Sequence, residues 1–289
     1  MLRMSFLEHL EELRARILSA LIGMGVAFVA CIGFSERIWS AIQGPATEAL
    51  KAAGVVPPKL AVTTPTEAFS IIWVKVPVLV SLFLASPWIL YQVWSFVSPG
   101  LYKHERKWAA PFVISSASLF VIGGAFAYFV AFPLGLGFLL GIATGNDLTA
   151  VVTITEYFDL FFNVTLGLGI VFELPILIFF LSLLRIVTPA FLMRNSRYAI
   201  LIIVIVAAVL TPTPDVINLM LISVPMMVLY FAGVLASYLL FLSRENKKFP
   251  WMLILLGLIG VLAVTASFVF AAVRVYGFRL VDQWPYLVK

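Results

Sequence analysis

Three carboxylates, Glu8, Glu11 and Glu12, stand within the first dozen residues of this chain, in the stretch SFLEHLEELRARI, directly ahead of its first apolar run. A carboxylate can accept the planar, five-donor fork of an arginine through two parallel hydrogen bonds, a geometry that a lysine ammonium cannot reproduce. It can equally cap a helix or pair along one. Ser5 and Glu8 have the spacing of a capping box, and Phe6, Leu10, Leu13 and Ile17 fall in one arc at helical periodicity, with Glu8, Glu11 and Glu12 on the opposite face. The expectation is an amphipathic helix lying along a membrane interface. Its wet face is acidic, where lysine and arginine commonly meet anionic lipid. On spacing alone, Glu12 paired with Arg16 describes an ordinary solvated surface.

A second acidic residue, Glu105, lies among Tyr102, Lys103, His104, Arg106 and Lys107 in FVSPGLYKHERKW. A loop that only sets topology needs the cations and not the glutamate, although pairing with Lys103 or Arg106 would also account for it. Glu173, in GLGIVFELPILIF, is the most telling of the acids, because apolar residues flank it on both sides. A charged group at mid-span costs ~2.5–3.5 kcal/mol, so Glu173 must be neutral, paired or facing a wet cavity. Pro175 follows two residues later and can free backbone groups to serve it. Asp215, in LTPTPDVINL, has the position of a helix cap.

Several chemistries find no support. A phosphate-binding loop, a serine-nucleophile elbow, histidines at ligand spacing and a cysteine cluster are all missing from the sequence, which has two histidines, His9 and His104, and one cysteine, Cys31. Neither a metal nor a cofactor is expected, and nucleic acid is not an expected partner. Cys31 reads as a small core residue.

The elements that must position these groups are membrane helices. The chain has 289 residues, 63% hydrophobic and 11% charged, with a mean hydropathy of +1.10. Its apolar runs are long enough for helical spans, and the short alternating strands of a membrane barrel are missing. The runs fall at Ile17–Phe34, Ala68–Val97, Trp108–Phe132, Tyr157–Leu184, Tyr198–Leu210, Val216–Leu242 and Trp251–Val273. Lysine and arginine concentrate in the N-terminal segment and in alternate loops, which places the N-terminus in the cytoplasm. The first run lacks the short basic flank of a cleavable signal and is expected to stay as a span.

The second run is long and contains Pro77 and Pro87, so it should bend, with Lys75 snorkelling to the outer interface. The fifth run is short for a bilayer core. Trp251–Val273 can cross as a seventh, C-terminal span, against a mild contrary signal from Arg274, Arg279 and Lys289. In the outer loop after the first span, Pro45 opens and Gly54 closes a short helix, with Ile38, Trp39, Ile42 and Leu50 expected against the membrane face. No internal repeat is visible.

SFLEHLEELRARI, SPWILYQVWSFVSPGLYKHERK, AFAYFVAFPL, FELP and TPTPDV occur in this order, and over residues 4–242 the chain resembles the TatC family, the polytopic subunit of the twin-arginine protein translocase. The resemblance implies an all-α membrane protein of six spans, residues 1–242, in the cytoplasmic membrane of a prokaryote, followed here by an extension, residues 243–289. It implies a receptor without enzymatic turnover that binds signal peptides carrying an arginine pair. Single-span partners of the TatA and TatB type are then recruited, and folded proteins are moved by the proton-motive force. Self-association and contact with membrane lipid are further expectations. By resemblance, Glu12 and Glu105 meet the signal's guanidinium groups, and Arg14, Tyr102, Lys103 and Arg106 shape the site. Glu173 and the fifth and sixth spans, with Asp215 and Asn218 at the outer turn, contact the partner. The apolar part of the signal is expected along a concave face lined by the second span, with Glu173 as a polar anchor.

The chain departs from the family pattern at Leu219, where a glutamine is common, with Asn218 beside it, and in the extension, to which the resemblance assigns no role. Without the resemblance, Glu173 and Lys75 inside apolar spans would favour a proton- or ion-coupled solute transporter. The cytoplasmic acids separate the two readings, because a transporter has no evident need of them.

Overall fold

The computed structural model describes residues 6–97, 109–145, 151–211 and 215–244, with residues 279–280 and 287–288. Ser5, the motif residues Tyr102, Lys103, Glu105 and Arg106, and the run Trp251–Val273 lie outside the described residues. Among the described residues helices dominate, with one two-residue antiparallel ladder, Arg279–Leu280 against Leu287–Val288, and an isolated parallel bridge between Ala61 and Thr153. Five helical segments are long and apolar enough to cross a membrane: Leu7–Ile32, Pro65–Val97, Pro111–Ala143, Ile154–Leu183 and Asn218–Leu242. Ser196–Leu210 is a shorter apolar helix. The described contacts divide the chain into two compact units, Met1–Ile42 with Val62–Ile122 and Gln43–Ala61 with Gly123–Lys289.

In the first unit, α1 (Phe6–Ile32) is one unbroken helix of 27 residues. At ~1.5 Å per residue it is about 40 Å long. The separate in-plane helix expected for the N-terminus is therefore corrected: its acidic face is the opening of the first span, because no break in the backbone ladder lets the chain turn. The Ser35 hydroxyl closes the far end, donating to the Ile32 carbonyl at 2.9 Å.

The second span is continuous from α4 (Pro65–Ser70) through a π-helical turn (Ile71–Lys75) to α5 (Val76–Val97). Thr64 and Glu67 form a capping box at its start. The widened turn has a cause in the sequence. The Pro77 ring crowds the carbonyl four residues back, at Trp73, and one residue inserted into the helical ladder relieves that contact. The Val76 N–H accordingly reaches the Ile71 carbonyl, five residues back. Ala127–Ala131 repeats the pattern between α6 (Ala109–Phe126) and α7 (Phe132–Gly145), immediately before Pro133. At Pro87 the remedy differs, since the Ser86 hydroxyl donates at 2.7 Å to the Phe83 carbonyl that Pro87 leaves without its helical donor.

Short helices α2 (Ser35–Ile42) and α3 (Gly44–Ala52) form most of the segment between the first two spans, with Pro45 in the first turn of α3. Gly54, at φ +74°, ends α3, and the Val55 N–H bonds the Leu50 carbonyl at 3.0 Å. Trp39, Ile42 and Leu50 are buried in protein, which corrects their expected place against the membrane.

In the second unit, α3 packs on α7, and Phe132 and Tyr157 both meet Phe161. The fourth span is interrupted: α8 (Ile154–Val171) turns at Phe172–Glu173 and resumes as α9 (Leu174–Leu183), with Pro175 in the new first turn. A short α10 (Pro189–Arg194) leads to α11 (Ser196–Leu210), 15 residues long, and α12 (Val216–Arg244) follows.

Candidate functional site

The N-terminal third of α1 lies along the C-terminal third of α5, and three contacts fix the register. The His9 ring stacks on Phe96 with centroids 4.4 Å apart. The Arg16 guanidinium donates through Nη1 to Gln92 Oε1 at 3.2 Å. Farther along, Trp88 Nε1 donates to the Ser19 carbonyl at 2.9 Å, where Gly23 leaves room for the indole. A Cβ at position 23 would run into the Trp88 ring.

Within this frame the three N-terminal acids are not equivalent. Glu8 and Glu11 are exposed. Glu12 sits on the flank facing Arg16, its side chain 18% exposed, with Oε1 3.5 Å from Arg16 Nη2. Its Oε2 is buried and accepts no hydrogen bond among the described residues. The expected pairing of Glu12 with Arg16 is therefore present, and it leaves acceptor capacity on the carboxylate. Arg14 points outward and is exposed. Gln92 is a participant that sequence reasoning missed, although a glutamine in the run SPWILYQVWSF is a signal that was there to be read. It is 3% exposed, so the polar contact reaches into the helix interface.

Beside the cluster runs an apolar groove of about 300 Å³, lined by Leu13, Ile17, Ala20, Met24, Ile89 and Val93, with Arg16 and Gln92 among its walls. A polar anchor beside an apolar trough suits an extended segment that carries cations ahead of an apolar stretch. Glu105 and its neighbours lie outside the described residues.

Two further acids sit in the second unit. Glu173 occupies the turn between α8 and α9, half-buried, with its Oε1 atom enclosed. Pro175 favours that turn, because it suits the first turn of a helix and has no N–H to offer the carbonyl four residues back, at Val171. Asp215 caps α12 as its position predicts: Oδ1 accepts the Asn218 N–H at 2.7 Å and Oδ2 accepts the Asn218 side-chain amide at 2.9 Å. Asn218 is buried, 6% exposed, and with Thr211, Gly135 and Phe132 it lines a cavity of about 40 Å³. Among the described residues, no group of three or more histidine, cysteine or acidic side chains could hold a metal ion.

Comparison with known proteins places the chain in a family. The family described as Sec-independent protein translocase protein (TatC) matches residues 8–225. TatC of Koribacter versatilis is 43% identical over 245 residues, covering 85% of this chain and 89% of that protein. TatC of Escherichia coli K12 is 36% identical over 240 residues, 83% of this chain and 90% of that one. A crystal structure of the twin-arginine translocase receptor TatC in DDM superimposes with a TM-score of 0.70 at 31% identity, covering 80% of this chain and 99% of that chain. With the match extending over most of its length, the chain belongs to the TatC family of Sec-independent protein translocase proteins.

Proposed function

We propose that this chain is the signal-peptide receptor and core subunit of a twin-arginine translocase, and is not an enzyme. The observation that carries the reading is the Glu12 carboxylate, held by α1 against α5 with one oxygen free of hydrogen bonds among the described residues. Glu12 and Glu105 each take one signal arginine, and requiring both selects a pair over a single charge. Arg14, Tyr102, Lys103 and Arg106 shape the site around them. The apolar part of the signal follows the second span.

Glu173, on the interrupted fourth span, and the outer end of α12, with Asp215 and Asn218, are the proposed contacts for single-span subunits of the TatA and TatB type. Transport then draws on the proton-motive force. In this reading Ser196–Leu210 also crosses, completing six spans where the bilayer thins or neighbouring helices shield its ends. Residues 243–289 form an extension with a seventh span, the N-terminus is cytoplasmic, and the protein lies in the inner membrane of a prokaryote.

The test is binding of a synthetic signal peptide, with its arginine pair or with two lysines, to the purified full chain and to Glu12→Gln and Glu105→Gln. Loss of a charge-assisted, bidentate contact is expected to weaken twin-arginine binding about tenfold to a hundredfold. Absence of binding by either peptide would favour an ion-coupled transporter, for which Glu173 would be the first residue to probe.

A further inference from the structure

We infer that Arg16 is a specificity residue of the signal site: it holds the Glu12 carboxylate as a built-in stand-in for a signal arginine, and an incoming guanidinium must compete with it. The inference rests on Glu12 being a signal contact. Arg16 reaches two helices at once, with Nη2 3.5 Å from Glu12 Oε1 on its own helix and Nη1 3.2 Å from Gln92 Oε1 on α5. Gln92 is 3% exposed, so it fixes the guanidinium from the protein side. The hold on Glu12 is partial. Only Oε1 is engaged, at a separation longer than the ~2.7–2.9 Å of a strong charge-assisted bond, and Oε2 accepts nothing among the described residues.

A carboxylate in this state is partly neutralised and not saturated. Any cation that approaches meets the like charge of Arg16. A signal arginine can offset that repulsion by taking both oxygens in a planar fork, whereas a lysine brings the same charge with no fork. Arg16 therefore raises the threshold for every cationic peptide and raises it most for lysine, which is a repulsive element of selectivity.

The purified full chain in lipid nanodiscs is titrated with the twin-arginine peptide and with its twin-lysine counterpart. Arg16→Gln is expected to tighten twin-arginine binding about twofold to fivefold, the range set by a partly exposed ion pair. Twin-lysine binding tightens more, so that the ratio between the peptides narrows. Arg16→Lys keeps the charge but replaces the planar fork that spans Glu12 and Gln92 with a single point charge, and its affinities should fall between those of the parent and of Arg16→Gln. Adding Glu12→Gln to Arg16→Gln should abolish the gain, because the effect acts through that carboxylate. If Arg16→Gln leaves the ratio unchanged or weakens both peptides while Glu12→Gln still removes the arginine preference, the Arg16 inference is overturned and the receptor reading stands. If Glu12→Gln keeps the preference, Glu12 is not the signal contact and the Arg16 inference falls with it, while the receptor reading would then rest on other residues.

Discussion

Helix α1 meets α5, and helix α12 meets α9, under the same constraint: lipid is as apolar as the side chains, so packing and hydrogen bonds must join the helices. The two pairs meet it differently. Between α12 and α9 small residues let the helices approach. A Cβ at Gly233 would stand 3.0 Å from the Pro175 Cα, and Ser182 and Ser237 share a hydroxyl hydrogen bond of 2.6 Å. Gly233 and Ser237 are one turn apart on α12, a small-xxx-small pattern that lets two backbones approach. Gly123 does the same against α8, where a Cβ would lie 2.6 Å from the Leu168 carbonyl. Between α1 and α5 the ties are instead long polar or aromatic side chains, and most of the apolar surface of α1 faces outward, Val29 at 70% exposure among it. One region is locked by backbone proximity. The other is joined by side chains that can exchange partners, which a ligand site requires.

That contrast makes the second unit sensitive in stability and the first sensitive in binding. The largest stability loss is expected for Gly123→Leu, because the obstructing atoms are backbone and cannot yield without parting the helices. Overpacking of this kind costs ~1–3 kcal/mol or more, and thermal melting in detergent should show the lowest midpoint of the series. Gly233→Leu should follow, somewhat milder, because its nearest obstacle is the movable tip of Ile178 at 2.8 Å. Neither change should alter the ratio of twin-arginine to twin-lysine binding in whatever protein remains folded; a changed ratio would erase the distinction between the regions.

Smaller effects sharpen the comparison. Ser182→Ala is expected to cost about 0.6 kcal/mol, the typical worth of an interhelical bond in a membrane protein, and the double change with Ser237→Ala should cost little more than the single one in a double-mutant cycle. Trp88→Phe should have the least effect, removing the bond to the Ser19 carbonyl and part of the ring beside Gly23 at a residue 45% exposed. A melting loss for Trp88→Phe as large as that for Gly233→Leu would mean that α1 and α5 are locked as firmly as α9 and α12.

Much of the site could be read from residue types. Glu12 and Arg16 are four apart on a helix, so their pairing needs no tertiary information. Asp215 ahead of an apolar run predicts its own capping bond. Gln92 and the Phe96 partner of His9 escaped, because both lie on a different helix and only the packing of α1 on α5 brings them within reach. The expectation of an in-plane N-terminal helix failed because periodicity reports which face is polar and not where the helix stops.

What the sequence determined by itself was the local chemistry and the succession of apolar helices. The identity of a carboxylate, the missing N–H of Pro77, Pro133 and Pro175, and the length of each apolar run act on their own backbone whatever the rest of the chain does. What only the tertiary structure decided was how those local facts combine. Arg16 tethers Glu12 to α5, and glycines at 123 and 233 carry helix contacts, because hydrogen bonds and steric fit act over a few ångströms and the partners are brought that close by packing alone.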